Sequence, residues 1–179
     1  MARGIIIFGS AGSGKTTLGK LVAKKLSFPY FDIDDYIWRK DSEKPFSVMY
    51  SRDEKISRLM ADISKGDHFV MAGSMDSFNA PFVPLFDLAV HITASVETRL
   101  DRIHKRELDI FGDRILKGGD MYVEHQRFLE LSARYDTDGS PCLSTHERWA
   151  ASLPCEVIRL NGEDSLNKNS EIIVREYTK

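Results

Sequence analysis

A short apolar run, joined through a glycine-rich loop to a segment of helical period, constrains the fold of this chain more than any other feature. Residues 5–26 read IIIFGSAGSGKTTLGKLVAKKL. The first four residues predict a buried strand, and the later leucines and valine, at helical spacing, predict a helix after Lys15. So many residues with little or no side chain at the end of a buried strand indicate a loop that must curl tightly.

Short apolar runs continue to alternate with segments of helical period along the whole chain. Further strands are predicted at residues 28–34, 68–74, 86–93 and 155–160. Helices are predicted within residues 51–66, 95–108, 119–135, 145–153 and 170–177, with a surface loop at 136–145. This alternation predicts an α/β fold in three layers (α/β/α), in which helices cover both faces of a five-stranded parallel sheet.

The composition describes one ordinary globular domain spanning residues 1–179. The net charge of −2 gives no general drive toward nucleic acid or anionic lipid. The two cysteines, Cys142 and Cys155, lack the spacing of a metal site or a disulfide framework. No apolar run is long enough for a signal peptide or a membrane span. We therefore expect a cytoplasmic monomer or homodimer, with neither nucleic acid nor a membrane as partner.

The glycine-rich loop matches a phosphate-binding motif. Gly9, Gly14, Lys15 and Thr16 satisfy G-x-x-x-x-G-K-[ST] between a predicted strand and a predicted helix. Such a loop points backbone N–H groups at an anion, Lys15 supplies a charge for the β- and γ-phosphates, and Thr16 offers a hydroxyl to Mg²⁺. The motif therefore predicts a P-loop NTPase that binds ATP and Mg²⁺. The predicted nucleotide-binding residues are Gly9, Ser10, Ala11, Gly12, Ser13, Gly14, Lys15, Thr16 and Thr17.

Three classes of protein contain this phosphate-binding motif, and other sequence features distinguish them. Signalling GTPases need a guanine-reading N-K-x-D, whereas Asn167-Lys168 is followed here by Asn-Ser in a polar segment. Large motor ATPases carry an aspartate after an apolar strand deep in the chain, whereas residues 68–74, HFVMAGS, end in Gly-Ser. The remaining class, the small-molecule kinases, fits the further motifs of this chain.

The second predicted strand ends in the acidic motif Asp32-Ile33-Asp34-Asp35, in which alternation places Asp32 and Asp34 on one side of the strand. Together with the loop, this motif resembles the adenylate kinase/shikimate kinase group, most strongly over residues 5–34 and 88–106. The resemblance implies that Asp34 orients the acceptor hydroxyl and that Asp32 helps to hold Mg²⁺ through water. The alternative is that one of these aspartates merely caps the following segment.

Residues 92–106, ITASVETRLDRIHKR, are similar to strand four of the nucleotide kinases and the helix after it. Arg102 and Arg106, at i,i+4 spacing, share one face of that helix. The resemblance implies that Arg102 stacks on adenine and that Arg106 reaches the phosphates. Arg99 and Lys105 lie off this face, so we expect both to be solvated.

Residues 107–127 stand where the family has its lid. The resemblance implies that Arg114 and Arg127 close over the transferring phosphate, and the absence of zinc-lid cysteines implies a metal-free lid. The candidate hinges are Gly112, Gly118 and Gly119.

Three further places complete the predicted site. SRDEK resembles the arginine motif of shikimate and gluconate kinases, and the resemblance implies that Arg52 binds an acceptor carboxylate or phosphate; the alternative is a solvated helix arginine. Gly73 and Ser74, at the carboxyl end of strand three, are candidate acceptor contacts. They replace the glycine run of shikimate kinases and the arginine motif of adenylate kinases, so the acceptor's identity stays open. The candidate adenine contacts after strand five are Asn161 and Gly162.

The histidines receive no role. His91 lies in an apolar strand and is expected in the core, whereas the surface or a helix face is expected for His104, His125 and His146.

The sequence thus predicts a phosphotransferase that moves the γ-phosphoryl group of ATP to a small-molecule hydroxyl. One alternative is a nucleoside monophosphate kinase that uses Arg52 for the acceptor phosphate, and another is a non-catalytic ATP-binding protein. The predicted catalytic residues are Lys15, Asp34, Arg106, Arg114 and Arg127.

Overall fold

A central sheet of five parallel strands organises the chain, and the computed structural model describes residues 2–42 and 45–179. The spatial order of the strands is β2-β3-β1-β4-β5, so the glycine-rich loop leaves the middle strand. The predicted five-stranded parallel sheet is confirmed. The strands are β1 (Arg3–Gly9), β2 (Tyr30–Asp32), β3 (His68–Ala72), β4 (Phe86–Thr93) and β5 (Glu156–Asn161).

Helices follow the predicted order along the chain. Serines begin three of them: the Ser51, Ser95 and Ser165 side chains accept hydrogen bonds from the backbone N–H three residues later. Within the described ranges, no helix is both long and apolar enough to cross a membrane. The helices are α1 (Lys15–Leu26), α2 (Asp34–Ile37), α3 (Arg52–Ile63), α4 (Val96–Phe111), α5 (Tyr122–Ala133), α6 (Leu143–Ser152) and α7 (Leu166–Tyr177).

The middle strand β1 is buried on both faces, which explains its uninterrupted apolar run. Ile6 and Phe8 pack in the core formed with α3 and α6, whereas Ile5 and Ile7 pack in the core formed with α1 and α7. All four side chains are 0 % exposed. Burying a side chain of this size contributes about 1.5–3 kcal/mol, so β1 is a rigid base for the loop that follows it.

The second strand is shorter than predicted, and this corrects the expected arrangement of the acidic motif. β2 ends at Asp32, and Asp34 begins the short helix α2. Strand alternation therefore does not relate the two aspartates. The chain turns here because Ile33, between them, is fully buried in the core with Tyr36.

The fourth helix is longer than predicted. α4 continues to Phe111, so the beginning of the segment 107–127 is helical, and a 3₁₀ turn at Gly112–Ile115 follows. That residues 107–127 move as a lid stays a prediction.

Candidate active site

The glycine-rich loop lies between the end of β1 and the start of α1 and packs against the first turn of α4. Gly12 has a φ of +75°, and a Cβ at this position would lie 2.4 Å from the carbonyl oxygen of Arg99. Only glycine combines that left-handed backbone with so close an approach. The buried Ser13 donates from its backbone N–H and from its hydroxyl to the Ser10 carbonyl, at 3.4 and 2.8 Å. The loop is therefore held in shape by its own contacts.

Lys15 points back into the loop that it follows. Its Nζ donates a hydrogen bond of 2.6 Å to the carbonyl oxygen of Ser10. Burial lowers the pKa of Lys15 to about 8, although the charges of Asp34 and Asp32 act in the opposite direction. The ammonium group thus lies inside the loop and close to both aspartates.

Asp32 is fixed by three hydrogen bonds. Its Oδ2 accepts from the Thr16 hydroxyl at 3.3 Å and from the Tyr30 hydroxyl at 3.2 Å, and its Oδ1 accepts from the Asp34 backbone N–H at 3.2 Å. A hydroxyl and a carboxylate therefore meet beside the loop. Oxygen ligands of this kind suit Mg²⁺.

Asp34 lies at the start of α2, where Asp32 and Lys15 act on its carboxyl group. The protein that surrounds its carboxyl group, and next the negative charge of Asp32, raise its pKa, while Lys15 and Arg106 oppose the change. A carboxylate with a raised pKa is better suited to take a proton near neutral pH. Short-range turn geometry, not strand alternation, brings Asp34 to this place.

Arg102 lies between the glycine-rich loop and the turn after β5. Its guanidinium donates to the carbonyl oxygens of Gly162 at 3.0 Å and Gly12 at 3.4 Å. The Asn161 side chain instead accepts from the backbone of Glu163 at 2.9 Å and so stabilises the turn. Glu163, which sequence reasoning missed, also accepts a 2.8 Å hydrogen bond from Ser95 at the start of α4. The two segments predicted to hold adenine are thus adjacent.

Arg106 and Arg99 have very different surroundings. Arg106 is exposed, and its positive charge lowers the pKa values of both Lys15 and Asp34. The expectation of a solvated Arg99 is wrong: its side chain is 0 % exposed. It donates to the Ser132 carbonyl at 2.9 Å and to Asp136 at 2.6 Å, because the end of α5 packs over it. Lys105 is solvated, as expected.

The two arginines of the predicted lid are not directed at the loop. Arg114 makes two hydrogen bonds to Asp120 within its own segment, at 2.9 and 2.7 Å. Arg127 lies exposed on α5. Their predicted closing role needs a movement of this segment. Of the candidate hinges, Gly112 and Gly118 have left-handed φ values, whereas the space at Gly119 is filled by backbone of the 3₁₀ turn.

The residues predicted to contact the acceptor lie in the segments after β3 and before α3. Arg52 donates from Nε to the Ser77 carbonyl at 3.0 Å, so the start of α3 reaches the segment that follows Gly73 and Ser74. Two further arginines, missed by sequence reasoning, stand close by: the guanidiniums of Arg58 and Arg39 lie 4.3 and 4.7 Å from the Tyr50 ring. The sequence feature that could have pointed to these two arginines is Tyr50, an aromatic residue close to Arg52.

The burial of the histidines differs in part from what the sequence predicted. His91 is buried, as expected, but His125 and His146 are also buried, at 2 % and 5 % exposure. His125 lies between Glu107 at 2.6 Å and His104 at 2.9 Å. A buried polar side chain needs partners, and His146 finds one in Ser74, at 3.2 Å. A helical pattern cannot show such partners, because they lie far apart along the chain.

These features define a P-loop fold of the small-molecule kinase type: a middle parallel strand, a glycine loop with its lysine, and an acidic turn at the next strand's end. The family model AAA_18, described as an AAA domain, matches residues 5–111, and the chain belongs to this family.

Individual relatives agree with that class. The uncharacterized protein YqaC of Bacillus subtilis (strain 168) is 28 % identical over 97 % of both chains. The shikimate kinase of Gloeobacter violaceus is 28 % identical over 92 % of this chain and 99 % of its own. Among solved structures, the shikimate kinase of Acinetobacter baumannii in complex with shikimate superimposes with a TM-score of 0.54 at 19 % identity, covering 100 % of this chain and 97 % of that one. The resemblance to the P-loop small-molecule kinases is thereby confirmed.

Proposed function

We propose that this protein is an ATP-dependent phosphotransferase that moves the γ-phosphoryl group to a hydroxyl of a small-molecule acceptor. The observation that carries the proposal is the convergence of a lysine ammonium, a threonine hydroxyl and a carboxylate at the end of β1. Lys15 and Asp34 are close enough to shift each other's pKa, and Thr16 contacts Asp32. Phosphoryl transfer needs such positioning and charge neutralisation more than covalent chemistry.

The loop suits a polyphosphate. The buried hydroxyl oxygen of Ser10 has no hydrogen-bond partner in the part of the chain that the structure describes. The amino end of α1 supplies unpaired backbone N–H groups and a partial positive charge, both of which favour an anion. With the Lys15 ammonium inside the same loop, these groups would bind the β- and γ-phosphates of ATP.

The pair formed by Thr16 and Asp32 fits Mg²⁺. Thr16 would bind the ion directly and Asp32 through water, because their oxygen atoms already meet beside the loop. When bound, Mg²⁺ supplies neutralisation of the negative charge on the phosphates.

In the transfer step, the acceptor oxygen forms a bond to the γ-phosphorus while the bond to the β,γ-bridging oxygen breaks, and ADP leaves. Asp34 orients the acceptor hydroxyl and takes its proton, for which its raised pKa is suited. Arg106 stabilises the charge that develops on the γ-phosphoryl oxygens, and Arg114 or Arg127 joins it when the segment 107–127 closes. Arg102 holds the adenine beside Gly162.

The acceptor side favours an anionic molecule. Arg39 and Arg58 lie over the Tyr50 ring, and Arg52 reaches Ser77 from the start of α3, while Arg39 is also paired with Glu54 at 3.0 Å. The planar guanidinium group of arginine can form two parallel hydrogen bonds to either a carboxylate or a phosphate. This arrangement supports a hydroxylated carboxylic acid as acceptor. A nucleoside monophosphate is the second candidate acceptor, because its phosphate group could bind to the same arginines.

The proposal is tested by acceptor-dependent ADP production with Mg-ATP and a panel of sugar acids, cyclitol acids and nucleoside monophosphates. Lys15→Ala should lower turnover by about 10²- to 10³-fold, because one charge that stabilises the transition state is lost. Lys24→Ala, which removes an exposed lysine from the same helix, is the matched control and should keep full activity. ATP binding without ADP production for any acceptor would instead indicate a nucleotide-binding protein without catalysis.

A further inference from the structure

A chain of hydrogen-bonded side chains runs through the core from the acceptor side to the edge of the sheet. Ser74 Oγ lies 3.2 Å from His146 Nε2, and His146 Nδ1 lies 2.8 Å from the hydroxyl of Tyr135. That hydroxyl lies 3.1 Å from His91 Nε2, and His91 Nδ1 lies 3.0 Å from Glu147. We call these five residues the buried relay.

The middle of the buried relay is shut off from water. His91, Tyr135 and His146 are 1 %, 3 % and 5 % exposed. The Phe8 ring stacks on His91 with ring centres 4.8 Å apart and meets His146 edge-on at 5.5 Å. In such apolar surroundings a polar atom without a partner is costly. The polar atoms of His91, Tyr135 and His146 therefore depend on their neighbours in the buried relay for hydrogen bonds.

The order of donors along the buried relay follows from its outer end. Glu147 accepts two hydrogen bonds from Arg159, at 2.7 and 3.3 Å, and this contact lowers the pKa of its carboxyl group. An ionised carboxylate only accepts, so His91 must donate from Nδ1. Burial lowers the pKa of His91, which leaves a neutral ring whose bare Nε2 accepts the proton of the Tyr135 hydroxyl.

The same logic continues to the inner end. Having donated its only proton, the Tyr135 oxygen must accept from His146 Nδ1. Burial lowers the pKa of His146 to about 4, so its ring is also neutral and its Nε2 is bare. Ser74 therefore donates its hydroxyl proton to His146. Its lone pairs remain available on the other side.

Ser74 stands where this direction matters. It follows Gly73 at the carboxyl end of β3, is only partly buried, and belongs to the segment that Arg52 contacts through Ser77. The ring of Phe8, the residue directly before Gly9, lies 5.5 Å from the His146 ring, so the inner end of the buried relay is close to the start of the glycine-rich loop. A serine hydroxyl normally rotates to donate or accept, but here it presents an acceptor only.

We propose that Ser74 determines acceptor specificity by accepting a hydrogen bond from a donor group of the acceptor molecule, and that the other four residues of the buried relay position its hydroxyl for this. The inference rests on the proposed function. It assigns a hydroxyl or amine of the acceptor to Ser74. A carboxylate or phosphate oxygen would meet only lone pairs there and belongs beside Arg52.

The direction of the buried relay is tested without any activity measurement, by ¹⁵N NMR of the histidine-labelled full chain. We expect His146 to be neutral at pH 7 with its proton on Nδ1. Tyr135→Phe should release this fixed tautomer into a mixture, because the acceptor for Nδ1–H is lost. Tyr177→Phe, which also removes a hydroxyl near a histidine (His68, at 3.3 Å), is the matched control and should leave the His146 signals unchanged.

Should Tyr135→Phe fold poorly, Glu147→Gln tests the same order from the exposed end, since an amide can donate as well as accept. This variant should also mix the His146 tautomers. A proton on Nε2 of His146 in the natural protein, or no change of the His146 signals in either variant, would overturn the inference.

The specificity role is tested with pairs of acceptors, sugar or cyclitol acids and their deoxy analogues lacking one hydroxyl. The natural protein should prefer one hydroxylated member by about tenfold to a hundredfold in kcat/KM. Ser74→Ala should remove most of that preference, and Tyr135→Phe should weaken it mainly through KM. Unchanged discrimination in Ser74→Ala would contradict the role of Ser74. If the natural protein phosphorylates no acceptor, the proposed function and this role both fail, and the histidine spectra still decide the direction of the buried relay.

Discussion

At the scale of single residues, Lys15 meets two opposed requirements. It must be charged to hold a polyphosphate, yet the loop that positions it also removes it from water. Burial lowers its pKa to about 8, and without the neighbouring carboxylates of Asp34 and Asp32 the pKa would be lower still. The acidic turn after β2 therefore keeps the ammonium charged at neutral pH, in addition to any direct role in transfer.

This balance predicts that Mg-ATP affinity depends on pH. Above about pH 8 the amine of the nucleotide-free protein is neutral, so binding must first take up a proton. We expect the affinity to fall as the pH rises from 7 to 9. Calorimetry in buffers of different ionisation enthalpy should show proton uptake at pH 8.5, and Lys15→Arg should show none. A constant affinity over this range would contradict the proposed place of Lys15 in the site.

Asp34 gives a second prediction at this scale. Asp34→Asn should reduce the rate of acceptor-dependent ADP production by about 10²- to 10⁴-fold, because the amide cannot take the acceptor's proton. Binding of Mg-ATP should persist. Asp35→Asn, which alters the exposed neighbour that pairs with Lys40 at 2.9 Å, is the control and should stay active. Equal losses in both variants would argue against Asp34 as the base.

Residues in the motif could be predicted from the sequence, whereas several residues outside it could not. Lys15 and Thr16 are set by a short pattern whose geometry is local. Arg99 was misplaced because its helix face predicts solvent, whereas the end of α5, more than thirty residues away, folds over it. The same holds for His146, whose partners Ser74 and Tyr135 come from two other parts of the chain.

At the scale of elements, α4 joins most parts of the site. Its first turn packs on Gly12, Arg102 reaches the turn after β5, and Ser95 binds Glu163 in that turn. The buried Arg99 links α4 to the end of α5 through its hydrogen bond to the Ser132 carbonyl oxygen. An error in the position of this helix would therefore disturb the phosphate loop and the predicted adenine contacts together.

Replacing Arg99 should show how strongly these helices depend on it. Arg99→Met keeps the length of the side chain but removes its hydrogen bonds to Ser132, Ala94 and Asp136. We expect the free energy of unfolding to fall by about 2–4 kcal/mol. Urea denaturation measures the change. Lys105→Met, which breaks an exposed pair on the same helix, should cost less than about 1 kcal/mol. Similar costs for the two variants would contradict this account.

Most elements could be predicted from the hydrophobic pattern of the sequence, because the central strands β1 and β3 contain continuous apolar runs. The second strand was the exception. The alternating pattern of residues 28–34 looks like a longer strand, but tertiary packing of Ile33 ends it at Asp32 and begins α2. Pattern alone does not distinguish an apolar residue that continues a strand from one that anchors a turn.

At the scale of the whole molecule, the order β2-β3-β1-β4-β5 separates the two sets of predicted contacts. β3 leads to the predicted acceptor contacts on one side of β1, and β4 leads to Arg102 on the other. The phosphate loop lies between them. The two predicted substrates therefore meet at the middle strand from opposite sides, as expected for ligands at the carboxyl ends of a parallel sheet.

The buried histidines predict the response of the whole fold to acid. His146, with its pKa lowered to about 4, and His91, also lowered, stay neutral in the folded chain but take up protons near pH 6.5 when unfolded. The unfolded state therefore binds more protons between pH 6.5 and 4, so stability falls as the pH falls through that window. Urea denaturation at pH 7 and pH 5 should show a loss of about 1–3 kcal/mol. His68→Gln, at an exposed histidine, should not change that difference.

The backbone conformation and close packing of Gly73 restrict this position to glycine. It has a φ of +138°, and a Cβ there would lie 2.5 Å from the side chain of Ile33, so no larger residue fits without moving the acidic turn. Ser74 has no left-handed backbone and is only partly buried, so a different side chain there does not meet this limit. Under the proposed function, a change of acceptor would therefore be reached through position 74 and not through position 73, without altering the glycine-rich loop.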